Sequence, residues 1–135
     1  MRWSIISDKE FEVLCYKLIS NEGFENPTWY GGGGGDKGRD IVAYYSAKIG
    51  NIIERFKYLI QCKRILSKGL SVSDISGLKD WLDAQYFDYA LIITTTHVTA
   101  DTLDWIESIN KETSYKLLVW DRAELEKMLS INFLY

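Results

Sequence analysis

The apolar positions of this chain follow two rhythms, one near 3.6 and one near 2, and the switches between them mark out its elements. Phe11, Leu14, Cys15, Leu18 and Ile19 fall at the i, i+3, i+4, i+7, i+8 spacing of one buried helical face, which predicts a helix from about Ser7 to Glu22. Gly23 supplies a stop, with Pro27 beyond it. A short strand around Thr28-Trp29-Tyr30 then runs into five consecutive glycines, Gly31 to Gly35. Ile41 to Ala47, rich in β-branched and aromatic residues, reads as a strand, and Lys57 to Arg64 as another. A turn around Gly50-Asn51 would make them an antiparallel pair.

From about Ser73 helix and strand alternate. Ile75, Leu78, Leu82 and Gln85 mark a helix, and Tyr89 to Thr94 is a continuous apolar strand of the kind buried on both faces. Thr99 is placed to cap a helix with Leu103, Ile106 and Ile109 inward. Lys116 to Trp120 forms a last strand, and Asp121 and Glu124 have capping-box spacing for a final helix carrying Leu125, Met128 and Leu129. The predicted order is helix, three strands, helix, strand, helix, strand, helix. That order implies a single α/β domain over residues 1–135, with a mixed sheet flanked by helices on both faces.

Composition narrows the function only a little. The chain is 47% hydrophobic and 26% charged, ordinary for a globular domain, and 135 residues can bury a core without disulfides. No apolar run approaches the roughly 20 residues that would span a bilayer. No N-terminal apolar segment with a cleavage site is visible, so a cytoplasmic location is expected. Cys15 and Cys62 are far apart in sequence and map to core-facing positions, as reduced thiols acting as small hydrophobes. The net charge of −3 conceals an asymmetry. Lys37, Arg39, Lys48, Arg55, Lys57, Lys63, Arg64 and Lys68 outnumber Asp40 and Glu54 within one stretch, which carries +6 against −9 for the remainder. Such a segment fits a phosphate footprint, and equally a solvated charged face.

Candidate chemistry is concentrated in Gly35-Asp36-Lys37-Gly38-Arg39-Asp40 and, some twenty residues on, in Gln61-Cys62-Lys63. Asp40 stands at the mouth of one predicted strand. In its neighbour Gln61 and Lys63 share a face about 7 Å apart, while Cys62 points the other way with Ile60. If the two strands pair, a carboxylate, an amide oxygen and an ammonium meet on one side of the sheet. Carboxylate and amide oxygens are ligands for a hard divalent cation, which would polarise a phosphoryl group and acidify a bound water. A lysine beside them can orient that water or stabilise charge building up on the phosphate.

These residues resemble the PD-(D/E)xK nuclease superfamily, and within it the Mrr-like restriction endonucleases, in which QxK replaces acid-x-Lys. The resemblance spans most of the chain: Phe11-Glu12, Gly23-Phe24, Asp36-x-Gly38-x-Asp40, Gln61-x-Lys63, Leu91 to Thr95, and Leu118-Val119-Trp120-Asp121. It implies a restriction-endonuclease-like fold and Mg²⁺-dependent DNA cleavage, with Mn²⁺ able to substitute, in restriction or antiviral defence. It also implies Asp40, Gln61 and Glu12 as metal ligands and catalytic residues, with Lys63 as the catalytic lysine. Lys37, Arg39 and Arg64 would contact DNA. Two positions depart from the strict motif: Arg39 stands where a proline precedes the aspartate, and Gln61 replaces an acid. The glutamine makes the site less acidic, so DNA phosphates would have to complete the metal's ligands.

Several assignments stay open on the sequence. Glu10 and Glu12 flank the apolar helix face about equally, and only the Phe-Glu pairing of the resemblance favours Glu12. Asp36 fits either the site or a turn closed by its own side chain. The glycine run lacks the Gly-Lys-Ser/Thr ending of a nucleotide-binding loop and is followed by a strand, which favours a flexible approach to the site. His97, the one histidine, precedes a helix cap and fits a structural or surface place. A catalytically silent DNA- or partner-binding module on the same fold is the rival to an active nuclease. A homodimer, and a fused or associated domain to choose the target, are the expected partners besides DNA.

Overall fold

The computed structural model describes residues 2–30 and 40–133. After a single 3-10 turn at Trp3–Ile5 come α1 (Asp8–Asn21), β1 (Glu25–Tyr30), β2 (Asp40–Ile49) and β3 (Ile52–Lys63). These are followed by α2 (Val72–Ala84), β4 (Tyr89–Thr94), α3 (Ala100–Glu112), β5 (Lys116–Trp120) and α4 (Arg122–Phe133). The strands lie in sequence order in one sheet, with β1, β2 and β3 antiparallel to their neighbours and β3, β4 and β5 parallel. The predicted element order and the mixed α/β sheet are therefore present. Each parallel connection carries a helix, as a crossover requires.

Alternation along the strands divides the core in two. Ile41, Ala43, Ile60, Cys62, Leu91 and Ile93 point to one face, where they meet Phe11, Cys15, Leu18 and Ile19 of α1 and Leu125 and Met128 of α4. Val42, Leu59, Ala90, Ile92 and Leu117 point to the other, against Ile75, Leu78 and Leu82 of α2 and Ile106 and Ile109 of α3. Each large side chain fully withdrawn from water contributes about 1.5–3 kcal/mol. These two layers hold the sheet rigid under the site.

Local signals set the element ends. Ser7 and Glu10 exchange hydrogen bonds at the start of α1, Ser7 N to Glu10 Oε1 at 2.8 Å and Glu10 N to Ser7 Oγ at 3.0 Å. Gly23, at φ +98°, takes the left-handed conformation that ends the helix. The β2–β3 hairpin is longer than expected, because Ile49 pairs with Ile52 around Gly50-Asn51 and Gly50 sits at φ +59°. In α3 the expectation for Leu103 is corrected: it is 54% exposed. Thr102 takes the inward place instead, its hydroxyl donating to Leu70 O at 2.8 Å. A hydroxyl paired in this way can be buried without penalty. Among the described residues no helix is long and apolar enough to cross a membrane.

Candidate active site

Asp40 is the first residue of β2 and lies directly opposite Gln61 of β3. Directly opposed residues of an antiparallel pair project to the same face, so the register alone brings the two side chains together. Gln61 Nε2 donates to Asp40 Oδ1 at 3.3 Å. Lys63, two residues on and on the same face, ends β3 and is half-buried. Cys62 points away into the α1 layer, where the Cys15 and Cys62 thiols meet and burial pushes the Cys15 thiol up.

Two polar features of this group are unusual for a finished core. Asp40 is buried, and that burial pushes its carboxyl up to about 6, against the opposing pull of the Gln61 hydrogen bond and the Lys63 charge. Gln61 Oε1 is buried and has no hydrogen-bond partner among the described residues. A buried acceptor left without a donor costs about 1–3 kcal/mol, and such atoms are rare in folded proteins. Both features would be relieved by one thing: a hard cation accepting electron pairs from the carboxylate and the amide oxygen. The donor set present fits a divalent metal, with remaining ligands from water or substrate phosphate. Among the described residues, however, no three His, Cys, Asp or Glu side chains form a metal-binding cluster.

The remaining candidates are distributed as follows. Glu12 is half-buried on α1, close enough to raise the Cys15 thiol, and α1 covers the sheet face opposite to Gln61 and Lys63. Glu10 is engaged at the Ser7 cap, which holds its carboxyl below the usual range. Arg64 is held by the N-terminal segment: Nε donates to Trp3 O at 3.2 Å, Nη1 to Asp8 Oδ1 at 3.0 Å and Nη2 to Ser4 O at 3.5 Å. This ties the end of β3 to the start of the chain. The glycine run, Asp36, Lys37, Gly38 and Arg39 lie outside the described residues.

Sequence reasoning missed how the chain leaving Lys63 is anchored. Thr95 Oγ1 accepts from Ile65 N at 2.8 Å and donates to Ile65 O at 2.8 Å, while Thr95 N donates to Lys63 O at 3.3 Å. Thr96 Oγ1 donates to Lys68 O at 2.6 Å. Both threonines are buried. The available signal was the run Thr94-Thr95-Thr96 closing an apolar strand, where three hydroxyls would need partners.

Comparisons with known proteins agree with the fold. The chain resembles the structure of the DNA modification-dependent restriction endonuclease AspBHI, with a TM-score of 0.65 and 13% identity, over 88% of this chain and 30% of that one. It also resembles the MspJI restriction endonuclease, solved in complex with a 27-mer oligonucleotide, with a TM-score of 0.59 and 13% identity, over 88% of this chain and 26% of that one. At such identity the likeness speaks for the fold, and this chain spans less than a third of either neighbour. No curated protein sequence matches it. The profile of the restriction endonuclease family Mrr_cat matches residues 4–129, nearly the whole chain, and the chain belongs to that family.

Proposed function

We propose that the chain is a metal-dependent DNA endonuclease domain that hydrolyses phosphodiester bonds, with Mg²⁺ as its cofactor and Mn²⁺ able to replace it. The single observation that carries this reading is the buried Asp40 carboxylate, bonded to Gln61 Nε2 and beside a Gln61 Oε1 that has no donor among the described residues, on the face that also carries Lys63. Asp40 and Gln61 would hold the metal, and Glu12 is the candidate to complete the set from α1. When bound, the ion would polarise the phosphoryl group and lower the pKa of a water. Lys63 supplies a fixed positive charge against the negative charge gathering on the phosphate. Gln61 holds Asp40 in orientation through Nε2. Lys37 and Arg39 would meet the DNA backbone. Asp36 is a further candidate, and Arg64 has guanidinium N–H groups beyond those bonded to Trp3, Ser4 and Asp8.

One such site cuts one strand, so a homodimer would give double-strand cleavage. A fused or associated domain would choose the target, in line with the small share of its structural neighbours that this chain spans. The setting that fits is restriction or antiviral defence in the cytoplasm. A plasmid-nicking assay across Mg²⁺, Mn²⁺ and Ca²⁺, run beside Asp40→Ala and Lys63→Ala, tests the reading. Nicking by the parent and its loss in both variants, at matched folding, is expected; equal nicking by Lys63→Ala would sink it.

A second reading is favoured by one residue. Gln61 stands where an acid would bind metal more strongly, which fits a domain that recognises DNA or a partner without cutting it. Salt-sensitive DNA binding together with no nicking in any metal would select that reading.

A further inference from the structure

The β2–β3 hairpin runs on past the rest of the sheet. Pairing with β1 ends at Tyr44, and pairing with β4 begins at Tyr58. Residues 45–49 and 52–57 therefore form a two-stranded arm with no neighbouring strand on either side among the described residues. The register sorts its side chains. Tyr44, Ser46 and Lys48 lie opposite Lys57, Arg55 and Ile53, and all six project to the face that carries Asp40 and Gln61 at the other end of the hairpin. Every basic residue of the arm is on this face. Its acid, Glu54, is on the opposite one.

How these cations are held matters more than their number. The Arg55 guanidinium lies 4.1 Å over the centre of the Tyr44 ring, and the Lys57 ammonium 4.7 Å over that of Phe87. An aromatic face positions a cation without cancelling its charge, whereas a carboxylate does both. Among the described residues Lys48, Arg55 and Lys57 make no ion pair, unlike Arg64, Lys68, Lys79 and Lys111. Two carboxylates lie beside this face and offset part of its charge: Glu25 Oε1 accepts from Ser46 Oγ at 2.7 Å, and Asp88 Oδ2 accepts from Lys57 N at 2.8 Å. Lys48 and Arg55 are exposed. In a chain of net charge −3, Lys48 and the two ring-held cations Arg55 and Lys57 give this face an excess of positive charge where the average charge would not place it.

The geometry points to a second DNA contact: the Lys48–Arg55–Lys57 face of the arm binds the phosphate backbone of duplex DNA, about 20 Å along the hairpin from Asp40. Charge complementarity identifies the occupant. This contact lies outside the residues assigned to the active site, and it rests on the nuclease reading only in taking DNA as the ligand. Being electrostatic, it would add affinity without sequence preference.

The test compares the parent chain with Lys48→Ala/Arg55→Ala, which spares Lys57 and every residue of the site. Binding of a 30-base-pair duplex is followed by fluorescence anisotropy in Ca²⁺ across a salt series, with thermal melts to confirm folding. Loss of two phosphate contacts should weaken binding at least about tenfold at low salt and flatten the slope of log affinity against log salt by about 2. Arg55→Lys, which keeps the charge, should retain most of the slope. An unchanged affinity and slope in the double variant overturns the proposal, as does a parent that binds no duplex. Stronger arm-dependent binding to single-stranded RNA or to anionic vesicles overturns the choice of partner. Nicking is scored separately. Arm-dependent binding without nicking removes the nuclease reading and leaves this proposal standing, and nicking with arm-independent binding does the reverse.

Discussion

The two ends of the β2–β3 hairpin handle charge in opposite ways. At the Asp40–Gln61 end a carboxylate is buried, its pKa is pushed up to about 6, and an amide oxygen beside it has no donor among the described residues. At the far end Lys48 and Arg55 are exposed, and Arg55 is steadied by an aromatic ring. Burial makes each interaction strong and each unmet need costly, which suits a site that binds one ligand at one place. Exposure makes each interaction weak and salt-dependent, which suits a surface that holds a long polyanion loosely. The same strand pair thus presents a tight, buried end and a loose, exposed one.

The largest effect should come from the buried end. Lys63→Ala removes the positive charge that acts on Asp40 from the same face of β3, and nicking should fall by about 100-fold or more, equivalent to about 3 kcal/mol on the barrier. The melting temperature should change little, since Lys63 is half-buried at a strand end. Equal nicking by parent and variant would remove the functional contrast between the two ends.

Asp40→Asn comes next and reads stability. Asp40 has a folded-state pKa of about 6 against an ordinary 3.8, so the folded state holds this proton more tightly than the unfolded chain does. That contribution is complete below pH 3.8 and is lost as pH rises through 6. The substituted amide carries no charge to bury, and its oxygen can still accept from Gln61. In EDTA the variant should therefore be more stable than the parent at pH 8, by an amount on the order of 2 kcal/mol, with the gap narrowing towards pH 4. Chemical denaturation at both pH values checks it, and a gap that does not vary with pH would mean that Asp40 is not strained by burial.

Much of this contrast was visible in the sequence, because strand alternation is rigid. The shared face of Gln61 and Lys63 and the opposite place of Cys62 follow from the period of two. The strand ends did not follow. Ile49 and Ile52, 67% and 62% exposed, carry no burial signal, so the sequence pattern predicts a shorter hairpin than the arm that forms. Nor could periodicity distinguish Glu10 from Glu12. The Ser7-x-x-Glu10 spacing was the missing signal, because it commits Glu10 to the cap. The partners of Arg64 lie 56 to 61 residues earlier in the chain, and only the packed fold brings them together. Thr102 displaced Leu103 from the core through a carbonyl 32 residues away, which no local pattern encodes.

A third test separates positioning from chemistry at the buried end. Thr95→Val keeps the shape but removes both hydroxyl bonds to Ile65, leaving that backbone without its partner. The loss should cost about 1–3 kcal/mol in stability, and Thr95→Ser should restore most of it. Nicking should fall less than in Lys63→Ala, because the lysine remains and only its anchoring is loosened.

The smallest effect belongs to the exposed end, and it tests whether the ring under Arg55 matters at all. Tyr44→Leu keeps an apolar, half-buried side chain on β2 but removes the π face beneath the guanidinium. Exposed cation–π contacts are worth about 0.5–1 kcal/mol, so duplex affinity should drop only about 2- to 5-fold. The salt slope should not change, because the charge count is the same. That combination distinguishes orientation from charge. A steep loss of slope would mean that Arg55 had left the surface altogether, and no loss of affinity would mean that the ring merely packs against the arginine stem. In that case the arm's contribution would rest on its charges alone, and the Tyr44 ring would add nothing to their orientation.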